Sequence, residues 1–255
     1  MNILLFFLYK VLPLLILSLL IFKKDHFEDK HNFWKNQKWK TIDICLILLL
    51  IIFFRLISLS FYTYQSFIFI YGRVVFNFML GFLIYWVLSY KYELNFSAIG
   101  LSAQNLLLNI TIGFLTFLLY GFLAVTIISL AGRDPLAIGT HYFIKMGLKD
   151  FPLTDLIVYI FGLLIIAPFV EECLFRGMMY GPLKRKIGVL GSICATSAIW
   201  ATNHMLPKSF FSIFLIGIIL CFLYRKTKSL IPSITMHFMI NFSILAAYLH
   251  WAYFG

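Results

Sequence analysis

The chain consists largely of apolar stretches that are long enough to cross a lipid bilayer. A membrane-spanning helix needs roughly 20 mostly apolar residues, and eight stretches of the chain qualify or nearly qualify. They are residues 2–22, 42–60, 66–90, 106–130, 155–184, 188–205, 209–224 and 230–254. Soluble domains carry about 25% charged residues, whereas this chain of 255 residues carries 12% and is 62% hydrophobic. The sequence therefore predicts an all-α, polytopic transmembrane bundle of about eight spans.

The basic residues between these stretches support the predicted number of spans. Thirteen of them fall in alternate connections, on one predicted side of the membrane, and four fall on the other side. The larger set is Lys23, Lys24, Lys30, Lys35, Lys38, Lys40, Lys91, Lys184, Arg185, Lys186, Arg225, Lys226 and Lys228. Because basic loops stay in the cytoplasm, both termini are expected to face away from it. The net charge of +11 is thus assigned to topology and to contact with membrane lipid, and nucleic acid is not an expected partner.

The chain is expected to form one continuous membrane domain with two parts. Residues 1–150 are predicted to supply N-terminal transmembrane helices, and residues 151–255 a helical core that carries the chemistry. Within the first part, residues 23–40 contain Trp34, Trp39 and many lysines. This composition predicts an interfacial segment held by aromatic anchoring and by anionic lipid. The four cysteines show no CxxC spacing, so neither a disulfide framework nor a thiolate metal site is indicated.

Charged residues inside a predicted span are candidates for function because their burial in lipid is costly. In the stretch 155–184, Glu172 and Arg176 are four residues apart on one helix face, with the acid on the N-terminal side. This arrangement favours a salt bridge. Glu171 points about 100° away and lacks that partner, which suits it to act as a general base. Lys10, Arg55 and Arg73 are isolated charges in other spans, for which snorkelling or pairing inside the bundle is the expected role.

Two later spans bring further polar residues to a similar depth in the membrane. One ends with Trp200 and His204, and the last contains His237 and Asn241, which are again four residues apart. Depths from the predicted cytoplasmic boundary follow from a rise of about 1.5 Å per helical residue. The depth is about 20 Å for Glu171, about 24 Å for His204 and about 18 Å for Asn241. His237 lies about 6 Å shallower than Asn241. Four polar groups at similar depth indicate a site within the membrane.

A glutamate, two histidines and an amide can support two kinds of hydrolysis. In the first, Glu171, His204 and His237 bind a divalent metal such as zinc, which acidifies a water molecule. In the second, Glu171 and His204 activate water directly while His237 and Asn241 hold the carbonyl oxyanion. The chain has no GxSxG motif, no HExxH motif and no Gly-rich phosphate loop, so the enzyme classes that depend on them are not indicated.

Taken together, these residues resemble the motifs of the CPBP (Abi) family of intramembrane endopeptidases. That family includes the CAAX prenyl endopeptidases of the Rce type and bacterial proteins linked to bacteriocin handling. Its motifs, in order, match Glu171, Glu172 and Arg176 (EExxxR), then Trp200 and His204 (an aromatic residue four before a histidine), then His237 and Asn241 (HxxxN). The resemblance extends over roughly residues 155–251, and residues 97–101 (Ser-Ala-Ile-Gly-Leu) add a weaker similarity.

The resemblance implies an all-helical membrane protease whose site opens to the cytoplasm. It implies that Glu171 is the base, that His204 is its partner on the water, and that His237 and Asn241 form the oxyanion site. Residues Glu172, Arg176 and Trp200 would support the site structurally, with Trp200 packing where phenylalanine is usual. The mechanism implied is a metal-free, glutamate-type one with no cofactor favoured, although a site for a divalent metal such as zinc stays open.

Other functions compete with proteolysis at the level of sequence. A non-catalytic immunity or scaffold protein on the same fold would use the polar cluster for helix packing. A transporter would show inverted repeats or broken half-helices, and neither is visible in the sequence. For a protease, the expected substrate is a membrane-associated peptide or protein, either prenylated and CAAX-like or carrying a leader peptide. Richness in Phe, Ile and Lys, without an organelle-retention signal, favours a bacterial plasma membrane.

Overall fold

A computed structural model describes residues 33, 37–60, 66–132, 148, 151–204 and 209–254. Every regular element within these residues is helical, which confirms the predicted all-α class. The predicted first span, residues 2–22, lies outside the described residues, as do Trp34 and most of the predicted interfacial segment.

The described residues form eight α-helices, several of which are extended by short π-helical turns. The α-helices are α1 (Thr41–Ser60), α2 (Ser66–Trp86), α3 (Leu106–Leu130), α4 (Leu153–Phe161), α5 (Ala167–Glu172), α6 (Tyr180–Asn203), α7 (Phe210–Thr227) and α8 (Ile231–Phe254). The π-helical turns Val87–Lys91, Gly162–Ile166 and Cys173–Met179 directly follow α2, α4 and α5, and a 3-10 turn covers Phe96–Ile99.

Several of these helices are long and apolar enough to cross a membrane, so the chain is a multi-pass integral membrane protein. In the described part of the chain they number five: Tyr71–Lys91, Leu106–Leu130, Leu153–Asn203, Phe210–Thr227 and Ile231–Tyr253. The predicted total of eight spans is not confirmed: five are found in the described part of the chain, and residues 2–22 lie outside it.

The helical stretch Leu153–Asn203 is interrupted at Gly188. This residue has φ 73° and ψ −177°, a backbone conformation that is essentially restricted to glycine. Glu171 and Trp200 are 29 residues apart yet hydrogen bonded at 2.7 Å, whereas an unbroken helix would separate them by about 43 Å. The chain therefore reverses direction at Gly188, which is where the sequence analysis divided two spans.

Helices α3 and α8 approach each other closely at Gly113. A Cβ atom on this residue would lie only 2.4 Å from the carbonyl oxygen of Pro232. Small residues allow such close contact between helices in lipid, where no hydrophobic force drives their association. At Gly121, two turns further along α3, an added Cβ atom would have no neighbouring atom within 4 Å. Since α8 carries His237 and Asn241, the contact at Gly113 helps to place two of the candidate site residues.

The segment of residues 97–101 packs against the part of the chain that carries the candidate site. Ile99 is fully buried, and its carbonyl oxygen accepts a hydrogen bond of 2.9 Å from the hydroxyl of Tyr224. Gly100 has φ 88° and accepts a hydrogen bond of 2.9 Å from the backbone N–H of Leu230. Ile99 also lies against Gly177, where a Cβ atom would lie 3.0 Å from Cβ of Ile99. This turn therefore links α7, the start of α8 and the π-helical turn Cys173–Met179.

Trp39 lies in the protein core, whereas the sequence analysis assigned it to the lipid interface. Its side chain is 1% exposed, and its indole Nε1 donates a hydrogen bond of 2.6 Å to the carbonyl oxygen of Met178. The neighbouring Lys38 and Lys40 are exposed. A tryptophan can leave the interface in this way because a backbone acceptor satisfies its N–H group inside the protein.

Candidate active site

Glu171 and Glu172 end a short α-helix that has a π-helical turn on either side. The turn Gly162–Ile166 precedes α5, and the turn Cys173–Met179 follows it. Pro168 lies in the first turn of α5 and has no N–H group to donate to an earlier carbonyl. Because π-helical turns are rare and are often found at functional sites, this irregular backbone marks the part of the chain that contains both acids.

The carboxylate of Glu172 has two basic partners in the core. Its Oε1 atom accepts a hydrogen bond of 2.8 Å from Nη1 of Arg176 and lies 3.0 Å from Nδ1 of His237. Glu172 and Arg176 are completely buried, and His237 is nearly so. Nη2 of Arg176 is 3.4 Å from the carbonyl oxygen of Gly217 on α7. The pair expected from the i,i+4 spacing is therefore present, and it joins α5 to both α7 and α8.

Glu171 is held by a different residue, Trp200. The indole Nε1 of Trp200 donates a hydrogen bond of 2.7 Å to Oε2 of Glu171, between two buried side chains. The sequence analysis assigned only packing to Trp200 and so missed this donor. The available signal was the residue type itself, because phenylalanine has no ring N–H and tryptophan has one.

The indole of Trp200 also contacts both histidines of the predicted site. Its ring centroid lies 4.7 Å from that of His204 and 5.3 Å from that of His237, each in an edge-to-face arrangement. Nδ1 of His204 is 2.9 Å from the carbonyl oxygen of Trp200, and the guanidinium carbon of Arg176 lies 4.6 Å from the indole centroid. The structure thus gathers residues of all three sequence motifs around one ring.

Asn241 faces a different element from His237, although both lie on α8. Its Nδ2 atom donates a hydrogen bond of 2.9 Å to the carbonyl oxygen of Leu163, in the turn Gly162–Ile166. In that turn the N–H of Ala167 bonds to the carbonyl of Gly162, five residues back. By the same spacing, the helical donor for the carbonyl oxygen of Leu163 would be the N–H of Pro168. Proline has none, and the Asn241 side chain supplies the missing donor.

A small polar cavity lies beside Glu171. It measures about 380 Å³ including its opening, and the part that water can occupy is about 20 Å³, enough for roughly one water molecule. Within the described residues its lining is Ile51, Arg73, Phe76, Asn77, Leu80, Glu171, Leu174, Phe175 and Asn203. His204, His237 and Asn241 are not in this lining. The sequence analysis did not identify Asn77 or Asn203 and treated Arg73 as an isolated charge.

One comparison with known proteins finds a match to a family. Residues 153–243 match the sequence model of a family described as type II CAAX prenyl endopeptidase Rce1-like. These residues, 91 of the 255 in the chain, are similar to that family. The match includes all three motifs, from Glu171 to Asn241, and agrees with the family resemblance found in the sequence analysis. No curated protein and no solved structure gives a significant match. The match to this family points to a protease.

The candidate site residues show no ready-made metal centre within the described part of the chain. Across the described part of the chain, no group of three or more His, Cys, Asp or Glu side chains is arranged so that it could hold a metal ion. Of the three ligands considered in the sequence analysis, Glu171 faces Trp200, His204 faces a backbone carbonyl, and His237 faces Glu172.

Proposed function

We propose that the chain is an intramembrane endopeptidase in which Glu171 activates a water molecule for attack on a peptide bond. The observation that carries this proposal is the cavity beside Glu171, whose volume open to water is about 20 Å³ and matches roughly one water molecule. A carboxylate at such a cavity can accept a proton from water as a general base. The hydrogen bond from Trp200 fixes the direction in which the carboxylate points.

The contact of His204 supports a role for this residue next to the base. A carbonyl oxygen can only accept a hydrogen bond, so Nδ1 of His204, 2.9 Å from the carbonyl of Trp200, carries the hydrogen atom. In a neutral ring the lone pair is then on Nε2. His204 does not line the described cavity, so its role as the partner of Glu171 stays a prediction from the family resemblance.

Glu172 and Arg176 support the site without taking part in bond breaking. Both are completely buried, and an unpaired charge at such a position would be strongly destabilising. Their mutual pairing, together with the contact between Glu172 and His237, holds α5 against α8. The assignment of His237 and Asn241 to the oxyanion stays a prediction from the resemblance.

The mechanism proposed is metal-free, with the carboxylate rather than a metal ion activating the water. The family resemblance supports this choice. For the substrate, we propose a membrane-associated peptide or protein, because the family description refers to CAAX prenyl endopeptidases. A prenylated CAAX-like chain and a leader peptide both fit a site among apolar helices. We place the protein in a bacterial plasma membrane on its composition.

A comparison of protein termini in whole cells tests the proposed function without knowledge of the substrate. Cells expressing the wild-type chain are compared with cells expressing Glu171→Gln at equal membrane levels, and new termini are expected with the wild type only. Asp155→Asn is the matched control, because it also removes a buried carboxylate from the same helical stretch but lies away from the cavity. It should preserve the new termini.

The same comparison tests the competing scaffold function. If wild type and Glu171→Gln give identical termini, and the variant is folded and retains the biological effect of the protein, proteolysis is excluded and the scaffold function is favoured. If the termini disappear with both Glu171→Gln and Asp155→Asn, the effect is one of folding, and the assignment of Glu171 as the base is lost.

A further inference from the structure

A basic groove lies between the residues that lead into α1 and the first turns of α6. Its described lining includes the cations Lys38, Lys40, Arg185 and Lys186 and the apolar residues Trp39 and Ile42. None of the described lining residues is acidic. The part of the groove open to water is about 550 Å³, within the range of roughly 300–1,000 Å³ that small-ligand sites occupy. The groove shares no described lining residue with the cavity beside Glu171, so it is a separate site.

The two lysines that precede α1 are held in place by the core of the protein. Residues 37–40 alternate between buried and exposed, with Trp39 buried between exposed Lys38 and Lys40. Such alternation is that of an extended chain, in which every second side chain points to the same side. The indole of Trp39 anchors the segment through its hydrogen bond to the carbonyl oxygen of Met178. Lys38 and Lys40 therefore face the groove together.

The other two cations lie on one face of α6. Arg185 and Lys186 follow Pro182, another lining residue, by three and four positions, so the three residues share a helix face. Both cations are exposed. The sequence analysis assigned them, like the lysines before α1, to the cytoplasmic side of the membrane. The groove thus combines basic residues from two of the predicted cytoplasmic connections.

Within the described part of the chain, no acidic side chain neutralises the lysines of the groove. Lys38, Lys40 and Lys186 form no ion pair with any described residue. The described acid nearest to them in sequence, Asp43, is buried and pairs with Lys91. It contacts Lys40 through the backbone N–H of that residue. Because like charges gathered around one groove repel each other, the arrangement indicates an anionic ligand.

An apolar stripe leads from the groove along α1. It consists of exposed side chains whose spacing places them on one helix face, namely Ile42, Leu46, Leu49, Leu50 and Phe53. Ile42 belongs both to the stripe and to the lining of the groove, which makes the two surfaces continuous. A ligand that matches both surfaces has an anionic group at one end and a long hydrocarbon chain next to it.

We propose that the groove binds the headgroup of an anionic phospholipid, with an acyl chain along the apolar stripe of α1. The phosphate oxygens accept charge-assisted hydrogen bonds from the lysine ammonium groups and from the Arg185 guanidinium. Basic pockets at the cytoplasmic ends of membrane helices recognise lipid headgroups in this way. A free phosphate ion has the same charged oxygens but no hydrocarbon, so the continuous stripe favours the lipid.

The test titrates the purified full chain in detergent with phosphatidylglycerol and follows the lipid-bound fraction by native mass spectrometry. Phosphatidylglycerol should bind at least about tenfold more tightly than phosphatidylcholine with the same acyl chains, which has no net charge. Lys38→Gln and Lys186→Gln should each weaken the binding of phosphatidylglycerol about fivefold, equivalent to about 1 kcal/mol per basic residue. Lys38→Arg should keep the wild-type affinity because it keeps the charge.

Lys226→Gln is the matched control for the charge. It removes an exposed lysine at the end of α7, outside the described lining of the groove, and should bind the lipid as wild type. Equal weakening by this variant would overturn the proposal, because it indicates the diffuse attraction of any basic surface for anionic lipid. Equal affinity for the two lipids would overturn it as well. If inorganic phosphate at the concentration of the lipid displaces phosphatidylglycerol, the ligand is a soluble anion and the lipid assignment is wrong.

The apolar part of the site is tested in the same titration. Leu46→Gln places a polar group in the stripe and should weaken the binding of phosphatidylglycerol severalfold. Leu107→Gln, at an exposed position of α3, should leave it unchanged. Equal affinities of these two variants would overturn the assignment of the acyl chain to the stripe. Because every substituted side chain is exposed, melting temperatures without added lipid should match that of the wild type.

Discussion

The indole nitrogen of Trp200 lies 2.7 Å from Oε2 of Glu171, although 29 positions of sequence separate the two residues. The reversal at Gly188 makes this contact possible, and the contact defines how the proposed base faces its cavity. Trp200 therefore does more than fill space next to His204. It also donates a hydrogen bond to the carboxylate of Glu171, which lines the cavity.

Substitution of Trp200 by phenylalanine separates the packing of the aromatic ring from its hydrogen bond to Glu171. Trp200→Phe preserves an aromatic ring but removes the N–H donor, so kcat should fall by about 10- to 100-fold, equivalent to roughly 1.5–3 kcal/mol for a hydrogen bond to a charged group. The melting temperature should change little. Trp251→Phe on the exposed face of α8 is the control. Wild-type kinetics for Trp200→Phe would mean that packing alone is required.

Loss of Arg176 should affect stability more than any exposed charge. Arg176→Met leaves the carboxylate of Glu172 buried with only His237 as a partner, and a broken buried pair typically costs roughly 3–5 kcal/mol. Unfolding in mixed detergent measures this loss, with exposed Lys186→Met as the control. The double variant Glu172→Leu with Arg176→Met should recover much of the stability, because no charge is then left unpaired. Equal stability of Arg176→Met and Lys186→Met would contradict this account of the pair.

Asn241 is expected to contribute to stability through the carbonyl of Leu163. Asn241→Ala leaves this carbonyl with neither its helical donor, which Pro168 lacks, nor the side-chain donor. An unsatisfied buried acceptor costs about 1–3 kcal/mol, and the same unfolding measurement should detect it. Ser243→Ala, on the same helix and with only a local bond to Ile240, should be near neutral. Unchanged stability of Asn241→Ala would show that the Leu163 carbonyl finds another donor.

The close contact between α3 and α8 predicts opposite effects for two glycines of one helix. Gly113→Ala places a methyl group 2.4 Å from the carbonyl oxygen of Pro232, and such overpacking typically costs about 1–3 kcal/mol. Gly121→Ala meets no atom within 4 Å and should stabilise the helix by up to about 1 kcal/mol. Melting temperatures of the two variants, measured side by side, check the prediction. It fails if both variants shift in the same direction.

Cleavage should survive removal of divalent metals. The purified protein, dialysed against a strong chelator, should cleave a synthetic peptide that spans the cleavage site found by the comparison of termini. The rate should equal that of the untreated protein, because the proposed mechanism activates water with Glu171. Elemental analysis should find much less than one zinc per chain. Loss of activity that added zinc restores would instead favour the metal-dependent alternative.

The class of the fold could be predicted from the sequence for simple physical reasons, and the same reasoning nominated the candidate site residues. A bilayer imposes a minimum length on each apolar stretch, so span candidates can be identified without knowledge of packing. Ionisable groups in lipid are expensive, which singled out Glu171 and its neighbours. The pair of Glu172 and Arg176 followed from helix geometry alone.

Contacts between distant segments could not be predicted in the same way. The donor from Trp200, the burial of Trp39 and the lining of the cavity by Arg73 and Asn203 all depend on how helices are placed relative to each other. Hydrophobicity does not separate lipid-facing from core positions, since Leu107 and others are exposed on α3 while similarly apolar side chains fill the core. A periodic pattern thus shows which residues share a face and leaves open what that face contacts.

The pairing of Glu172 with Arg176 within one turn of helix has a consequence for how the protein is made. As the chain leaves the ribosome, both residues are synthesised together, whereas His237 follows 65 residues later. The acid can thus enter the translocation machinery already neutralised by its own helix, before α8 exists. A glutamate whose only partner lay on α8 would be an unpaired charge in the bilayer until α8 had been synthesised. The membrane-insertion step is therefore made easier by a contact that the finished fold also uses to support its site.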